Sequence, residues 1–366
     1  MLEKLGKKRF ALPLVFVVVV GCVFSLMMYP MARMEVKGLP FGIASLDEGA
    51  VTPVGEVNAG QTILENITAS AQEAGEDSES PILWTTYEAQ DQLDDAFENG
   101  EIYGALVVPA DFTAKQMALA AGASADTPIL TAYLDMAQSP MVANLMQSTL
   151  PAMMSESGVD VEVIVLNQSE SAANNPLTAI MSANFIIMPT VIASLAAGLI
   201  CAAAFSTKGG ASRKERYAGI GKQIVFAAVI GLFVACVGIF IAGPVLGIEA
   251  SASSLFGFFA IASFCMVCLT MGLANIALPL GALGLICVLA GTCCGILPPE
   301  MLPDFWQNWV YPWAPQHFFG DGVRSIIYLG EGAINDSVAP LAITACVGMA
   351  CALISPLVPQ VHKEEA

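Results

Sequence analysis

Apolar and polar positions alternate along this chain on two scales. On the longer scale stand six nearly uncharged apolar stretches, at about 10–32, 182–206, 221–243, 253–276, 278–297 and 338–359. Each has roughly the 20 residues needed to cross ~30 Å of hydrocarbon, and each is predicted to span a membrane as a helix. Little more than "NIALP" separates the fourth from the fifth, so these two form a tight hairpin. The first follows "KKRF" as a signal-peptide core would. However, "FALPLVFVVVVGCVFSLMMYPMARM" is too long for one and lacks a small-residue cleavage site, so it reads as an uncleaved span.

On the shorter scale, residues 38–175 repeat a strand-then-helix rhythm. "LPFGIASLD", "ILWTTY", "IYGALVVP", "PILTAYLDM" and "VDVEVIVLN" read as strands. "NAGQTILENITASAQEAG", "EAQDQLDDAFENG", "DFTAKQMALAAG" and "SPMVANLMQSTLPAMMSES" read as helices, with Pro151 expected to kink or break the last. "EDSESP" is a polar linker. Such alternation favours a mixed or parallel sheet flanked by helices.

The fold expected is therefore a polytopic α-helical membrane protein with six transmembrane helices. An extracytoplasmic mixed α/β domain is inserted between the first and second spans. The parts are a basic cytoplasmic N-terminus (1–9), the first span (10–32), an acidic α/β domain (33–180), a five-helix transmembrane domain (181–359) and a cytoplasmic tail (360–366). Within the last domain, 298–337 forms an external amphipathic segment.

Charge sets the orientation. Lys4, Lys7, Lys8, Arg9, Lys208, Arg213, Lys214, Arg216, Lys222 and Lys363 all fall on one side of a six-span arrangement, and they are ten of the fourteen basic residues. The positive-inside rule makes that side cytoplasmic, in a plasma membrane, with both termini inside. Residues 33–175 hold 22 acids against Arg33, Lys37 and Lys115, a balance of −19 that accounts for the whole net charge of −18. Solubility in an external compartment explains it, as does a vestibule for cations or basic substrates. Nucleic-acid binding is disfavoured, because phosphates attract the opposite sign.

Candidate chemistry is sparse. The only histidines are His317 and His362, and all ten cysteines lie in predicted spans. Cys265 and Cys268 form a C-x-x-C without a second pair, which fits helix packing better than a metal or redox site. The adjacent acids Asp47–Glu48 and Asp94–Asp95 are expected to face solvent, and Asp111 to cap a helix N-terminus. No ionisable residue sits mid-span, which argues against an ion-coupled carrier. Asn184, Asn275, Thr270 and Thr292 are the polar span residues, suited to interhelical hydrogen bonds, and Gly291 and Gly295 give a G-x-x-x-G spacing. No P-loop motif occurs, so no ATP site is expected in this chain. The Trp- and Pro-rich run before "HFFGDGVRSIIYLG" suits a membrane interface. Arg324 in it either snorkels or pairs with Asp321 or Glu331.

Three stretches resemble the YhgE/Pip family within the ABC type-2 exporter permeases. They are "LPFGIASLDEGA" with "EVNAGQTILENI", "AFENGEIYGALVVPADFT" on Gly100, Tyr103, Ala105, Pro109, Asp111 and Phe112, and "YPWAPQHFFGDGVRSIIY" on Gly322 and Arg324. The chain resembles a compact form of that family. The resemblance implies a non-catalytic exporter permease in a bacterial plasma membrane, working by alternating access. A separate cytoplasmic ABC ATPase would hold ATP and Mg, and two permease copies would pair as a homodimer or heterodimer among membrane lipids. In that reading a short helix around Arg213, Lys214, Glu215, Arg216 and Tyr217 docks on the ATPase. The alternative is a non-transporting surface protein for phage attachment, adhesion or secretion-complex assembly, anchored by its spans.

Overall fold

The computed structural model describes residues 2–53, 55–73, 80–123, 126–156, 159–168, 176–206 and 212–357, with the backbone alone for 2–16, 52, 70–73, 156 and 176–184. Lys208, His362, Lys363 and the 360–366 tail lie outside the described residues, as do the side chains of Lys4, Lys7, Lys8, Arg9 and Asn184. The chain divides into two compact units, 1–34 with 181–366, and 35–180.

The first unit begins with helix α1 (Leu2–Ala32). The second unit follows. It contains β1 (Leu39–Ser45), β2 (Ala50–Thr52), β3 (Gly55–Val57), α2 (Ala59–Glu73), β4 (Ile82–Tyr87), α3 (Gln90–Glu98), β5 (Gly104–Val108), α4 (Phe112–Ala120), β6 (Ile129–Asp135), α5 (Pro140–Glu156) and β7 (Asp160–Leu166). Five strands form one sheet in the order β4-β1-β5-β6-β7, while β2 and β3 make a separate antiparallel ribbon. β4, β1 and β5 run parallel, β6 is antiparallel to β5, and β7 is parallel to β6. The sheet is thus mixed. Central β5 is buried along its whole length, as a strand covered on both faces must be. Leu93 and Ala96 of α3 pack with Ala44, Ala105 and Val107 in one apolar cluster.

Pro151 does not break α5, which runs unbroken from Pro140 to Glu156. A proline removes the bond to the carbonyl four residues earlier. Here that carbonyl belongs to Gln147, which is exposed, so water can satisfy it. Leu150, beside the proline, is fully buried and anchors the helix there.

The chain then returns to the first unit through α6 (Pro176–Ala204). Next come α7 (Arg213–Phe240), which continues into a π-turn at Ile241–Val245, and α8 (Ala252–Ile276). After α9 (Leu278–Ala290) and short turns lie α10 (Pro315–Tyr328) and α11 (Val338–Ile354). Four described helices are long and apolar enough to cross a membrane: Phe185–Ala204, Arg213–Val245, Ala252–Ile276 and Val338–Leu357. The first predicted span falls in α1, whose described side chains begin at Val17.

The helix expected over 278–297 stops at Ala290. Thirteen residues reach only about 20 Å. Its last carbonyls are taken by partners outside the helix ladder. Gln316 Nε2 donates to Val288 O, Thr292 Oγ1 to Leu289 O at 2.6 Å, and Trp306 Nε1 to Ala290 O at 3.0 Å. Gly291 and Gly295 therefore do not form a helix-crossing motif. Gly295 sits instead in a 3-10 turn, Thr292–Gly295, packed against Gln316 and Gly320 of α10.

α8 is the centre of this unit. Two thirds of its span (67%) is buried, against 28% for α7 and for α11. Each neighbour approaches it through a glycine. A Cβ at Gly231 of α7 would lie 2.8 Å from Ala260 O, and one at Gly281 of α9 would lie 2.6 Å from Ala274 Cβ. A Cβ at Gly198 of α6 would overlap Thr270 Oγ1, and one at Gly322 of α10 would overlap the Phe258 ring. At the α8–α11 crossing the backbones themselves touch, Gly272 against Gly348.

Gly272→Ala and Gly348→Ala should each destabilise the protein by about 1–3 kcal/mol through overpacking at backbone contact. Gly221→Ala, at an open position on α7, should be neutral or gain up to ~1 kcal/mol. Unfolding midpoints in detergent check both; an unchanged midpoint for Gly272→Ala would show that the crossing can widen freely.

Candidate functional site

The expected coupling residues lie at the start of α7. Arg213–Tyr217 do not form a separate short helix: they are the first turns of the spanning helix itself, because Ser212 and Glu215 make a reciprocal capping box. Ser212 N donates to Glu215 Oε2 at 2.7 Å and Glu215 N to Ser212 Oγ at 3.3 Å. Arg213 and Lys214 are exposed, whereas Arg216 and Tyr217 are tied to the end of α11. Arg216 donates to Ser355 O at 2.6 Å and Pro356 O at 3.0 Å, and Tyr217 OH to Leu353 O at 3.3 Å. The five residues therefore divide into an outward basic pair, a capping acid and an internal latch.

Below the latch, Gln223 and Asn275 exchange amide hydrogen bonds of 3.2 and 2.6 Å across α7 and α8. Sequence reading singled out Asn275 but not Gln223. The available signal was a lone amide at the point where the helix passes from its basic first turns into its apolar run. Thr270 Oγ1 donates to Leu195 O at 3.0 Å, an interhelical bond of the kind expected.

Toward the other end of α6 lies an apolar cavity of about 330 Å³. Met27, Met28 and Met31 of α1, Phe185 and Met188 of α6, and Cys293 line it. Methionine walls are adaptable and tolerate ligands of varied shape. On α10, Arg324 pairs with Asp321 and donates to Gly295 O at 3.2 Å, so it is a structural pair and not a snorkelling side chain. His317 Nε2 lies 2.8 Å from Asp321 Oδ2, and its ring stacks on Tyr311 with centroids 3.9 Å apart. Burial resists ionisation of Asp321, but the Arg324 charge and the His317 contact hold its carboxyl below the ordinary value. Gly322 leaves room for Phe258, and its carbonyl accepts from Asn335 Nδ2 at 3.2 Å.

In the α/β unit, β1 and β5 are parallel neighbours whose following helices depart in opposite directions, α2 toward β4 and α4 toward β6. Such a switch point opens a crevice at the carboxyl ends of the strands, where α/β proteins commonly hold ligands. Here the protein's own Asp47 fills it. Asp47 Oδ1 accepts from Thr113 N at 3.1 Å and Gly49 N at 3.3 Å, and Oδ2 accepts from Gly60 N at 3.0 Å and from the Thr113 hydroxyl. Thr113 Oγ1 in turn accepts from Ala59 N at 2.7 Å. One carboxylate thus caps the N-termini of both α2 and α4. A Cβ at Gly60 would lie 2.6 Å from Asp47 Cβ, so glycine is required there.

Two expectations are corrected by this network. Asp47 is buried and does not face solvent, and Asp111 makes no side-chain cap. Asp111 instead pairs with Lys115 at 2.9 Å on the surface. Asp94, as expected, lies on the outside of α3, accepting from Gln90.

The remaining signature positions are architectural. Gly100 has φ +70° at the turn leaving α3, a conformation other residues rarely adopt. Tyr103 bridges strands, donating its N–H to Pro40 O and accepting from Asp135 N, both at 3.0 Å. Pro109 O accepts from Phe112 N at 3.1 Å, turning the chain into α4, and Phe112 is buried. Among the described residues no group of His, Cys, Asp and Glu is placed to hold a metal.

Asp135, at the end of β6, is the second buried carboxylate of this unit. Its Oδ1 accepts from Ala137 N at 2.8 Å and Asn167 Nδ2 at 2.9 Å. Burial pushes this carboxyl up from 3.8, and these bonds only partly offset it. Asp47 goes the other way. Burial opposes its ionisation, but the Thr113 hydroxyl and the amides of Thr113, Gly60 and Gly49 outweigh that and hold it below 3.8.

The two acids therefore have opposite linkage to pH. The contribution of Asp47 is present above pH ~4 and lost as pH falls through its lowered folded pKa. That of Asp135 is present below pH ~4 and lost as pH rises through its raised folded pKa. Asp47→Asn turns a donor toward Gly60 N–H and should cost about 2 kcal/mol or more at pH 7. Asp135→Asn keeps the accepting oxygen and should hold or raise the melting temperature at pH 7. Thermal unfolding of residues 35–180 between pH 3 and 7 checks the pair; equal effects of the two variants would sink this assignment.

Comparison with known families is consistent with a membrane transport component. The family described as ABC-2 family transporter protein matches residues 9–355, nearly the whole chain. No curated protein and no solved structure gives a significant match. The four spanning helices, the apolar composition and this match together place the chain in the ABC-2 transporter family, as a multi-pass membrane component of an ABC transporter.

Proposed function

We propose that the chain is the permease subunit of an ABC exporter of the YhgE/Pip type, moving an apolar or amphiphilic substrate outward. The observation that carries this reading is the start of α7. A basic surface pair, Arg213 and Lys214, stands on the first turn of a helix that runs unbroken to Val245, and Arg216 and Tyr217 fasten that turn to the end of α11. Force applied at such a point reaches two spanning helices at once. A separate cytoplasmic ATPase carrying ATP and Mg supplies that force, and two permease copies pair with two ATPases.

The clustering of basic residues supports a cytoplasmic end for α7 and both termini inside. Six crossings then arise if α1 spans and if α9 with its following turns counts as the fifth. The acidic unit at 35–180 lies outside and has a mechanical role: its ligand crevice is occupied by Asp47, and its chain is continuous with α1 and α6. The Met-lined cavity contacts the apolar part of the substrate.

Purification in mild detergent should recover a P-loop ATPase with the chain. Arg213→Gln with Lys214→Gln should lower permease-stimulated ATP hydrolysis about tenfold at unchanged expression, the size expected for losing rim charges of an interface. Replacing residues 38–175 by a Gly/Ser linker should leave insertion and ATPase binding intact but abolish export. Full export by that variant, or the absence of any co-purifying ATPase, would favour the alternative of a non-transporting surface protein.

A further inference from the structure

At the end of the bundle where α6 and α8 finish and α7 and α9 begin lies a second cavity, of about 210 Å³. Its polar wall is Arg216, Gln223, Asn275 and Ser206, and Phe205 and Leu278 supply apolar wall. Arg216 is half-buried there. Its guanidinium uses two N–H groups on the carbonyls of Ser355 and Pro356, which leaves three of its five donors. Among the described residues no carboxylate lies within ion-pair distance of it. A half-buried charge with no counter-charge among the described residues is costly, and carbonyl dipoles offset only part of that cost. Gln223 Nε2 makes one bond, to Asn275, and has a second N–H to give. Arg213, Lys214 and Lys222 stand exposed on the first turns of α7, against the one acid Glu215 there, and give this end of the helix a net positive charge.

From this geometry we infer an anion site at the basic end of the bundle that takes a phosphate group, held by Arg216 and Gln223. A guanidinium fork suits a tetrahedral oxyanion. The position at a helix-bundle end, with apolar wall beside the arginine, favours the phosphate of an anionic lipid headgroup over free phosphate. The bound headgroup neutralises Arg216 while that residue keeps its two carbonyl bonds, so lipid occupancy stabilises the α7–α11 latch. The site does not depend on the direction of transport or on the identity of the ATPase.

The full-length protein should be reconstituted in vesicles of phosphatidylcholine alone or mixed with phosphatidylglycerol. It is then extracted, and the lipid retained on it is measured by native mass spectrometry. Phosphatidylglycerol should be retained in preference, and Arg216→Gln should lower its retention about tenfold, as expected for loss of a charge-assisted phosphate contact. Arg216→Gln also removes the carbonyl bonds and could unfold the protein. Ser206→Phe therefore serves as the second variant, filling the cavity with those bonds untouched, and it should lower retention by a similar factor. Inorganic phosphate separates the sources. If it stabilises the delipidated wild type and not Arg216→Gln, while phosphatidylglycerol shows no preference, the site takes free phosphate. Equal retention by wild type and Ser206→Phe, or no response to either phosphate source, overturns the inference.

Discussion

The membrane unit depends on the glycines that let five helices reach the surface of α8. Lipid tails are as apolar as the side chains facing them, so burying apolar area supplies little attraction between helices in a bilayer. Close van der Waals packing and interhelical hydrogen bonds must supply it instead. Glycines at positions 198, 231, 281, 322 and 348 lower the separation on every side of α8. At the α8–α11 crossing it falls to backbone contact. At the α6–α8 contact, Gly198 also lets Thr270 Oγ1 come within reach of the Leu195 carbonyl, so the small residue and the polar bond act at one spot. A larger side chain at these positions would meet backbone at Gly231 and Gly348, the Phe258 ring at Gly322, and the short side chains of Thr270 and Ala274 at Gly198 and Gly281.

The α/β unit rests on a different device, one buried carboxylate. Asp47 joins the ends of β1, α2 and α4, which come from three separate parts of the chain. The stretches "SLDEG", "NAGQ" and "ADFT" are the segments that meet at this carboxylate. The junction requires an acid, a glycine with no room for a Cβ, and a hydroxyl residue that can both donate and accept. Threonine at 113 serves that last role as serine would. Internal capping thus places the protein's own acid at the carboxyl ends of β1 and β5, where a switch-point crevice would lie.

Much of this was legible in the sequence because it is local. Strand β4 is the "ILWTTY" run, and β5 lies within its uninterrupted apolar stretch, since periodicity and burial are properties of neighbouring residues. What escaped is long-range. Asp47 and Thr113 are 66 positions apart, and from sequence alone Asp47 beside Glu48 looks like any solvated acidic pair. Asp111 sits one residue before its helix, where a cap belongs, yet the orphan amide there was already taken. The early end of α9 was hidden for a similar reason: the side chains that relieve its carbonyls, Trp306 and Gln316, lie on later segments. Pro151 was expected to kink or break its helix, and the absence of a break turns on whether water reaches Gln147, which neighbouring residues do not reveal. At α7, charge pattern located the basic cluster but could not separate the exposed Arg213 and Lys214 from Arg216 and Tyr217, whose partners stand some 140 residues away.

The two devices in the bundle have unequal stiffness. Where Gly272 of α8 meets Gly348 of α11, backbone packs on backbone, and a packed interface of that kind moves as a unit or not at all. The two cavities are different. One is polar and bridged by an arginine and an amide pair, and the other is apolar and walled by methionines. Hydrogen bonds to carbonyls can be exchanged for water or a ligand, and methionines can repack, so both cavities deform at lower cost than the glycine crossing. The polar cavity begins at Ala274, just past Gly272, so a close-packed contact and a deformable one are neighbours at the same end of α8.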